Sequence, residues 1–161
     1  IAEVLLDNRP SLATSRDFNT TGMVRAQGQP SFNAYHTSAS MGIGVNAKFI
    51  FNSTHHNVGN MYNTSTGRIT APIAGTYLLT FHTIFQGNYG NAYLQFFINN
   101  ARSLAMGDYH LSKNDTSTSY WQTHHISRVI KLDKNDYIEI FARSALQWHG
   151  THWGGLSCHL L

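Results

Sequence analysis

The sequence has 161 residues, a length that suits one principal domain with a single sizeable core. Charged residues make up 12% of it and aromatic residues another 12%, which is typical of a many-turned β protein with a neutral, hydrogen-bonding surface. The net charge of +3 comes from scattered basic residues, so nucleic acid is disfavoured as a partner. No segment approaches the roughly 20 apolar residues of a membrane-spanning helix, which disfavours membrane insertion.

The apolar residues come in alternating or short continuous runs bounded by Gly, Asn, Asp or Pro, and helical periodicity is nearly absent. This pattern predicts an all-β, two-sheet sandwich of about ten strands. In chain order, the predicted strands are Phe32 to Thr37, Ala47 to Phe51, Gly75 to Phe85, Ala92 to Ile98, Arg102 to Met106, Ser119 to Leu132, Tyr137 to Arg143, and Trp153 to Leu160.

The first 29 residues carry less apolar patterning than the rest of the chain. We expect residues 1–29 to form a linker, or the end of a stalk that is ordered only in an oligomer. Residues 30–161 are expected to form the folded head.

The predicted connections alternate between short and long. Asn99 with Asn100 and the segment "DKND" at 133–136 suit tight turns, because Asn and Asp tolerate left-handed backbone or close a turn with their side chains. The longer connections are residues 86–91, 107–118 and 144–152.

A series of fixed intervals surrounds the stretch "NTSTGRITAPIAGTY". It consists of Phe51, Asn57, Tyr62, Ile69, Gly75, Tyr77 and Leu79. This spacing resembles the signature of the C1q globular head in the C1q and tumour necrosis factor superfamily, with Ile69 and Leu79 where the family usually has Phe. Further resemblance lies in "PSFNAY", "VIKLDKNDYIEIFA" and "WGGLSCHLL". The resemblance implies a jelly roll, and Gly67, Pro72 and Gly75 suit the crossing between its two sheets.

The resemblance also implies a homotrimer packed through one sheet of each subunit. Aromatic residues are more numerous on two predicted strands than one core would consume, which indicates a second buried surface. The predicted interface residues are Tyr77, Phe81, Trp121, His124 and His125.

Successive antiparallel strands run in opposite directions. If the last strand ends near the stalk, all three long connections therefore lie at the opposite end of the domain, which we call the apex. Loops on a rigid scaffold concentrate binding residues, and aromatic residues with polar tips give adaptable contacts. We therefore expect the apex to bind a host-surface glycan or protein; the alternative is that Trp148 and Tyr109 merely cap the core. The predicted ligand-binding residues are Tyr89, Tyr109, His110, Trp148, His149 and His152.

The sequence predicts no cofactor, no metal site and no enzyme activity. On a strand, the side chains of His149 and His152 would point to opposite faces and could not share a metal ion. The acidic residues lie mostly at turns, where a capping role accounts for them without catalysis. Two alternatives stay open. Calcium could bind through Asp108 or Asp115, and three copies of His124 or His125 could meet on a trimer axis around an ion.

Two biological settings compete. The segment "TTGMVRAQGQPSFNAY" resembles the linker before such heads in bacteriophage tail-fibre proteins, which favours a virion protein that attaches to a host or has a purely structural role. The alternative is a secreted animal recognition protein. Four Asn-X-Ser/Thr matches would support secretion if they were glycosylated, but the chain is rich in these residues. The lone Cys158 and the absence of a collagen repeat favour the virion setting.

Overall fold

The computed structural model describes residues 28–86, 91–104, 106–112, 121–151 and 153–161. These residues contain thirteen strands, and none of them forms a helix long and apolar enough to cross a membrane. The strands are β1 (Ser31–Tyr35), β2 (Ser40–Ile43), β3 (Ser53–Val58), β4 (Tyr62–Asn63), β5 (Arg68–Thr70), β6 (Gly75–Gln86), β7 (Asn91–Ile98), β8 (Ala101–Arg102), β9 (Asp108–Ser112), β10 (Trp121–Leu132), β11 (Tyr137–Ala142), β12 (Leu146–His149) and β13 (Gly155–Leu160). The all-β, two-sheet jelly roll predicted from the sequence is confirmed.

A seven-stranded antiparallel sheet is built around β6. Strand β10 pairs with β6 along its whole length, from Gly75 to Gln86. On the other side, β12 and β13 both pair with β6, so they are two halves of one line of strand interrupted at residues 150–154. Strands β2 and β1 lie beyond them, and β3 pairs with β1 at the edge.

The six-stranded sheet has the order β4, β5, β11, β7, β8, and β9 also pairs with β7. Its inward residues include Ile69, Leu94, Phe96, Ile138 and Ile140, all of them buried. They meet the buried residues of β6, which alternate along the strand because successive side chains point to opposite faces. The core therefore lies between the two sheets.

The fixed intervals noted in the sequence reflect direct contacts. The Asn57 side chain donates to the Tyr62 carbonyl at 2.8 Å and accepts from the Tyr62 N–H at 3.1 Å. The Tyr62 hydroxyl in turn accepts from the Phe51 N–H at 2.8 Å. Gly67 has φ of 69°, and a Cβ there would lie 2.5 Å from the Phe49 carbonyl oxygen. The signature residues thus tie the segment between the sheets into one conformation.

Four predicted elements were wrong, two strands and two loops. Residues 47–51 are not a strand within a sheet; they make a single bridge, from Lys48 to Phe141, and place Phe49 and Phe51 in the core. The predicted strand from Arg102 to Met106 ends at Arg102. Two predicted long loops contain β9 and β12, because polar and aromatic residues there alternate between a buried and an exposed face. Sequence reasoning took their polar residues as loop signals.

Candidate assembly face and apical end

Strand alternation divides the predicted trimer-interface residues between the core and the surface. Tyr77 and Phe81 point inward and are fully buried in the core of their own subunit. The Tyr77 hydroxyl donates to the Ile73 carbonyl at 2.7 Å, and the Phe81 ring meets the Phe49 ring edge-on at 5.4 Å. Their placement in an interface was wrong, because the prediction selected aromatic residues without choosing a face of the strand.

The same alternation separates His124 from its neighbours on β10. His124 is 9% exposed and points inward, with its ring 5.4 Å from Phe85 and 6.0 Å from Tyr109. Burial lowers the pKa of His124 below its usual range. Trp121 and His125 point outward, so of the predicted set only these two lie on the surface that a second subunit could contact.

We call the outward side of the seven-stranded sheet the outer face. Exposed apolar side chains stand on it, among them Val129 at 64% and Trp121 at 38%. The pairing register defines its central rows, which are Leu78 with Val129 and His159, Thr80 with Ser127 and Ser157, His82 with His125 and Gly155, and Ile84 with Thr123 and His149. The middle of the outer face is therefore small, neutral and partly apolar.

The charges of the outer face are unusual. None of the seven strands of this sheet contains an Asp or Glu, whereas seven of the ten histidines lie in them. Lys131 lies near the end of β10. Arg128 lies on the inward side of the same strand, where its Nε donates to the Met106 carbonyl at 3.1 Å. At neutral pH the outer face carries almost no charge, which is typical of the core of a protein interface.

His82 and His125 stand side by side midway along the pair of β6 and β10, and β10 pairs only with β6 among the described strands. The imidazole of His82 lies against Gly155, where an added Cβ would come within 2.7 Å of His82 Cε1. Burial, and then the charge of His125, lower the pKa of His82. The missing side chain of Gly155 thus leaves room for the His82 ring.

The strand ends at the predicted apex meet in register. Gln86 pairs with both Trp121 and Gln147, and Asn91 pairs with Ser112. The connections at 87–90 and 113–120 run between these ends and lie outside the described residues. The third predicted connection is much shorter than expected, because only three residues lie between the end of β11 and the start of β12.

Trp148 is not a loop residue, and its predicted placement was wrong. It lies on β12 and is 3% exposed, with its indole edge-on to Phe51 at 5.1 Å and to Phe49 at 5.3 Å. A side chain enclosed in this way supports the core and offers little surface to a ligand. The alternative drawn from the sequence, that it caps the core, agrees with its position.

The other predicted apical residues do not converge. Tyr109 packs against the core, His110 is exposed and stacks on Tyr93 at 5.4 Å, and His149 points to the outer face. Tyr89 and His152 lie outside the described residues. Ligand binding by Tyr109, His110 and His149 stays a prediction, but these three side chains occupy three different surfaces.

His149 makes the closest aromatic contact near the apex. Its ring centroid lies 3.9 Å from that of Trp121, and its Nδ1 is buried without a hydrogen-bond partner in the described part of the chain. Trp121 thereby covers one edge of the imidazole at the apical limit of the outer face.

No group of three or more metal-ligating side chains occurs among the described residues. Asp108, one of the two residues considered for calcium, accepts hydrogen bonds from Arg102 Nε at 3.1 Å, from Arg102 Nη2, and from Gln95 at 3.1 Å. Asp115 lies outside the described residues. Cys158 is buried, and burial raises the pKa of its thiol to about 12, so the thiolate is scarce at neutral pH.

Sequence reasoning missed a charge cluster on the six-stranded sheet. Glu139 is 2% exposed, and its Oε1 accepts from Lys48 at 2.8 Å and from Arg68 at 3.1 Å. The Arg68 guanidinium also lies 3.8 Å from the centre of the Tyr137 ring. No sequence signal could have found the cluster, because 91 residues separate Lys48 from Glu139.

Comparison with known protein families gives a match to the model of the C1q domain over residues 31–153. The chain belongs to the C1q family. Complement C1q tumor necrosis factor-related protein 3 of Homo sapiens is 31% identical over 109 residues, and the protein of the same name from Mus musculus matches equally. The alignment covers 66% of this chain and 41% of the human protein, so the chain spans less than half the length of these relatives.

Solved structures show the same fold in both branches of the superfamily. The globular domain of zebrafish complement 1qA protein superposes with a TM-score of 0.60 at 16% identity, covering 83% of this chain and 97% of that one. Eiger TNF from S. frugiperda gives a TM-score of 0.65 at 13% identity, with 83% and 92% covered. The predicted superfamily is confirmed, and trimers are typical of it. The curated relatives are animal proteins, so the predicted phage setting gains no support from them.

Proposed function

We propose that this chain is the homotrimeric, ligand-recognising head of an extracellular C1q-type protein and that it acts without catalysis. The C1q match over residues 31–153 carries the proposal, because members of this superfamily are generally recognition or signalling proteins. The extracellular setting rests on the animal C1q-related proteins that the sequence resembles. In this proposal residues 30–161 are the head and residues 1–29 lead to a stalk; β1 and the family match both begin at Ser31.

The outer face of the seven-stranded sheet is the proposed trimer surface. Its centre combines exposed apolar side chains with a nearly complete absence of charge, and charged residues are depleted at the core of protein interfaces. The six-stranded sheet is proposed to face solvent, since its carboxylates already have partners within the subunit.

The apical end is the proposed ligand surface, and the ligand is a cell-surface glycan or protein. Aromatic and amide side chains occur at this end on a scaffold of paired strands, and such side chains suit adaptable contacts. Tyr89, on the connection after β6, and His110, which is exposed beside Tyr93, are the leading contact residues.

The test is binding of the purified trimer to a glycan array and to intact animal cells at pH 7.5. The variant Tyr89→Ala with His110→Ala should lose binding by tenfold or more, on the order expected for interface aromatic residues. Lys134→Ala is the matched control, because Lys134 is exposed in the turn at the opposite end of the strands. Equal binding by the double variant and the wild type would remove the apex as the ligand surface.

A second candidate is the head of a viral fibre, favoured by the similarity of "TTGMVRAQGQPSFNAY" to phage linkers. Trimers that bind bacterial cells and compete with phage infection, and that leave animal cells and glycans unbound, would favour it. Glycans on the native protein would favour the extracellular setting.

A further inference from the structure

The charge of the outer face comes chiefly from histidines, so it depends on pH. The titratable and charged groups on this face come from six of the seven strands. They are Tyr35 on β1, His55 and His56 on β3, His82 on β6, His125 and Lys131 on β10, His149 on β12, and His159 on β13. Since no strand of this sheet carries a carboxylate, protonation of these histidines adds positive charge that nothing on the described outer face neutralises.

The described carboxylates elsewhere cannot supply that neutralisation. Asp133 and Asp136 lie in the turn after β10, where Asp136 accepts from Asn99 and from the Asp133 N–H. Asp133 lies eight residues beyond His125, which corresponds to about 26 Å along a strand. This distance exceeds the screening length of about 8 Å at physiological salt. Glu139 and Asp108 lie on the other sheet. Glu139 is already paired there with Lys48 and Arg68, and Asp108 with Arg102.

His82 and His125 hold the critical position. They are direct cross-strand neighbours on the two strands that pair over twelve residues, and like charges directly opposite each other are destabilising. The ring of His82 contacts the position where a Gly155 Cβ would stand, with Cε1, Nε2 and Nδ1 at 2.7, 3.2 and 3.5 Å from it. In a subunit that stands alone, water solvates the two imidazolium ions, whereas in a close-packed interface it does not.

We propose that the outer face joins copies of this chain at neutral pH and releases them on mild acidification, because protonated His82 and His125 place uncompensated charge in the interface. The inference rests on the trimer of the proposed function and adds its regulation. Histidine is the side chain whose unperturbed pKa puts its charge change between about pH 5 and 8. The neutral form is favoured further at His82, where burial and then the charge of His125 lower the pKa.

The direction with pH follows from this preference for the neutral form. The assembled state binds fewer protons than the separated subunits, so assembly is strongest above the ordinary histidine pKa of about 6.5. It weakens as the pH falls below that value. Screening by salt should oppose the effect, because the repulsion acts between like charges.

The test is sedimentation velocity of the full 161-residue chain at pH 7.5 and 5.5, with near-ultraviolet circular dichroism to monitor the fold. The wild type should be a trimer at pH 7.5 and dissociate at pH 5.5, with at least about a 100-fold weaker association. The double variant His82→Gln with His125→Gln should remain a trimer at pH 5.5, its dissociation midpoint lowered by about one pH unit or more. His110→Gln replaces an exposed histidine on the other sheet and should dissociate over the same pH range as the wild type in this sedimentation assay.

The outcomes separate this inference from the proposed function. A wild-type chain that is monomeric at pH 7.5 removes the trimer itself. A trimer that persists at pH 5.5, or a double variant that dissociates as the wild type does, overturns the histidine mechanism and leaves the trimer standing. Loss of the near-ultraviolet signal together with the trimer would assign the dissociation to unfolding and also overturn it.

Discussion

The outward sides of the two sheets differ in the charged side chains that they carry. On the six-stranded sheet, carboxylates and cations are present and paired: Glu139 with Lys48 and Arg68, and Asp108 with Arg102. On the seven-stranded sheet no carboxylate is present, and the charge-bearing groups are chiefly histidines. The same β-sandwich thus has one sheet whose surface charges are paired with each other and another sheet with few permanent charges.

In this way one fold can have a solvent face on one sheet and an assembly face on the other. Paired surface charges keep a sheet soluble, while an uncharged face with Val129 and Trp121 exposed loses little by being buried against another subunit. Burial of an unpaired charge is costly, so the seven-stranded sheet should tolerate no permanent charge at its centre.

A carboxylate placed on each sheet in turn should affect the two sheets very differently. Thr80→Asp puts a charge at the middle of β6, between Ser127 and Ser157, and should weaken trimer association by a thousandfold or more because an unpaired buried charge costs several kcal/mol. His110→Asp on the other sheet should leave association unchanged. Sedimentation at pH 7.5 measures both variants.

The matched control for the first variant is Thr80→Val, which keeps the shape and β-branching without the charge. It should retain the trimer. If Thr80→Asp also remains a trimer, the outer face is not the assembly surface, and the contrast between the two sheets has another cause.

A second prediction compares two tryptophans, one from each environment of the seven-stranded sheet. Trp148→Ala removes an indole packed between Phe49 and Phe51 and should lower the free energy of unfolding by about 3–5 kcal/mol. Trp121→Ala removes a half-exposed indole and should change unfolding of the isolated subunit by less than about 1 kcal/mol. Urea unfolding under conditions that favour the monomer distinguishes the two; similar losses would contradict the assignment of Trp148 to the core.

The course of the chain could be predicted from the sequence where spacing reports a local contact. Asn57, Tyr62 and Gly67 lie within ten residues of one another, and their mutual hydrogen bonds and turn geometry require the intervals seen. The long strand from Gly75 was predicted for a similar reason, since its alternation is regular over twelve residues.

The candidate surfaces could not be predicted to the same degree. A strand's alternation shows that two faces exist but not which one meets the core, so Tyr77 and Phe81 were assigned to the wrong side. Trp148 was misplaced because "SALQWHGTH" has the composition of a loop, although Leu146 and Trp148 alternate into the core. Lack of carboxylates on one sheet emerges only when distant strands are assembled.

The smallest expected effect concerns the paired charges of the six-stranded sheet. Glu139→Gln leaves Lys48 and Arg68 without their shared carboxylate and should lower the free energy of unfolding by about 1–3 kcal/mol. This loss is smaller than the usual cost of breaking a buried ion pair, because both cations reach solvent. Trimer association should not change. Arg102→Met is the matched control on the same sheet, since its partner Asp108 is more exposed and exposed pairs contribute less than about 1 kcal/mol.

The stability that Glu139 contributes should also depend on pH. Burial alone would raise the pKa of Glu139, but hydrogen bonds and charge from Lys48 and Arg68 outweigh it and lower the pKa below its usual range. A carboxyl with a lowered pKa contributes its stability above the unfolded value of about 4.3, and loses it as the pH falls through the folded value. The wild type should therefore lose stability on this account only below about pH 4.3, and Glu139→Gln should flatten that decline. Dissociation driven by the histidines is expected at higher pH than the protonation of Glu139. A trimer that dissociates only when Glu139 is protonated would contradict the histidine mechanism, because its acid sensitivity would come from the six-stranded sheet.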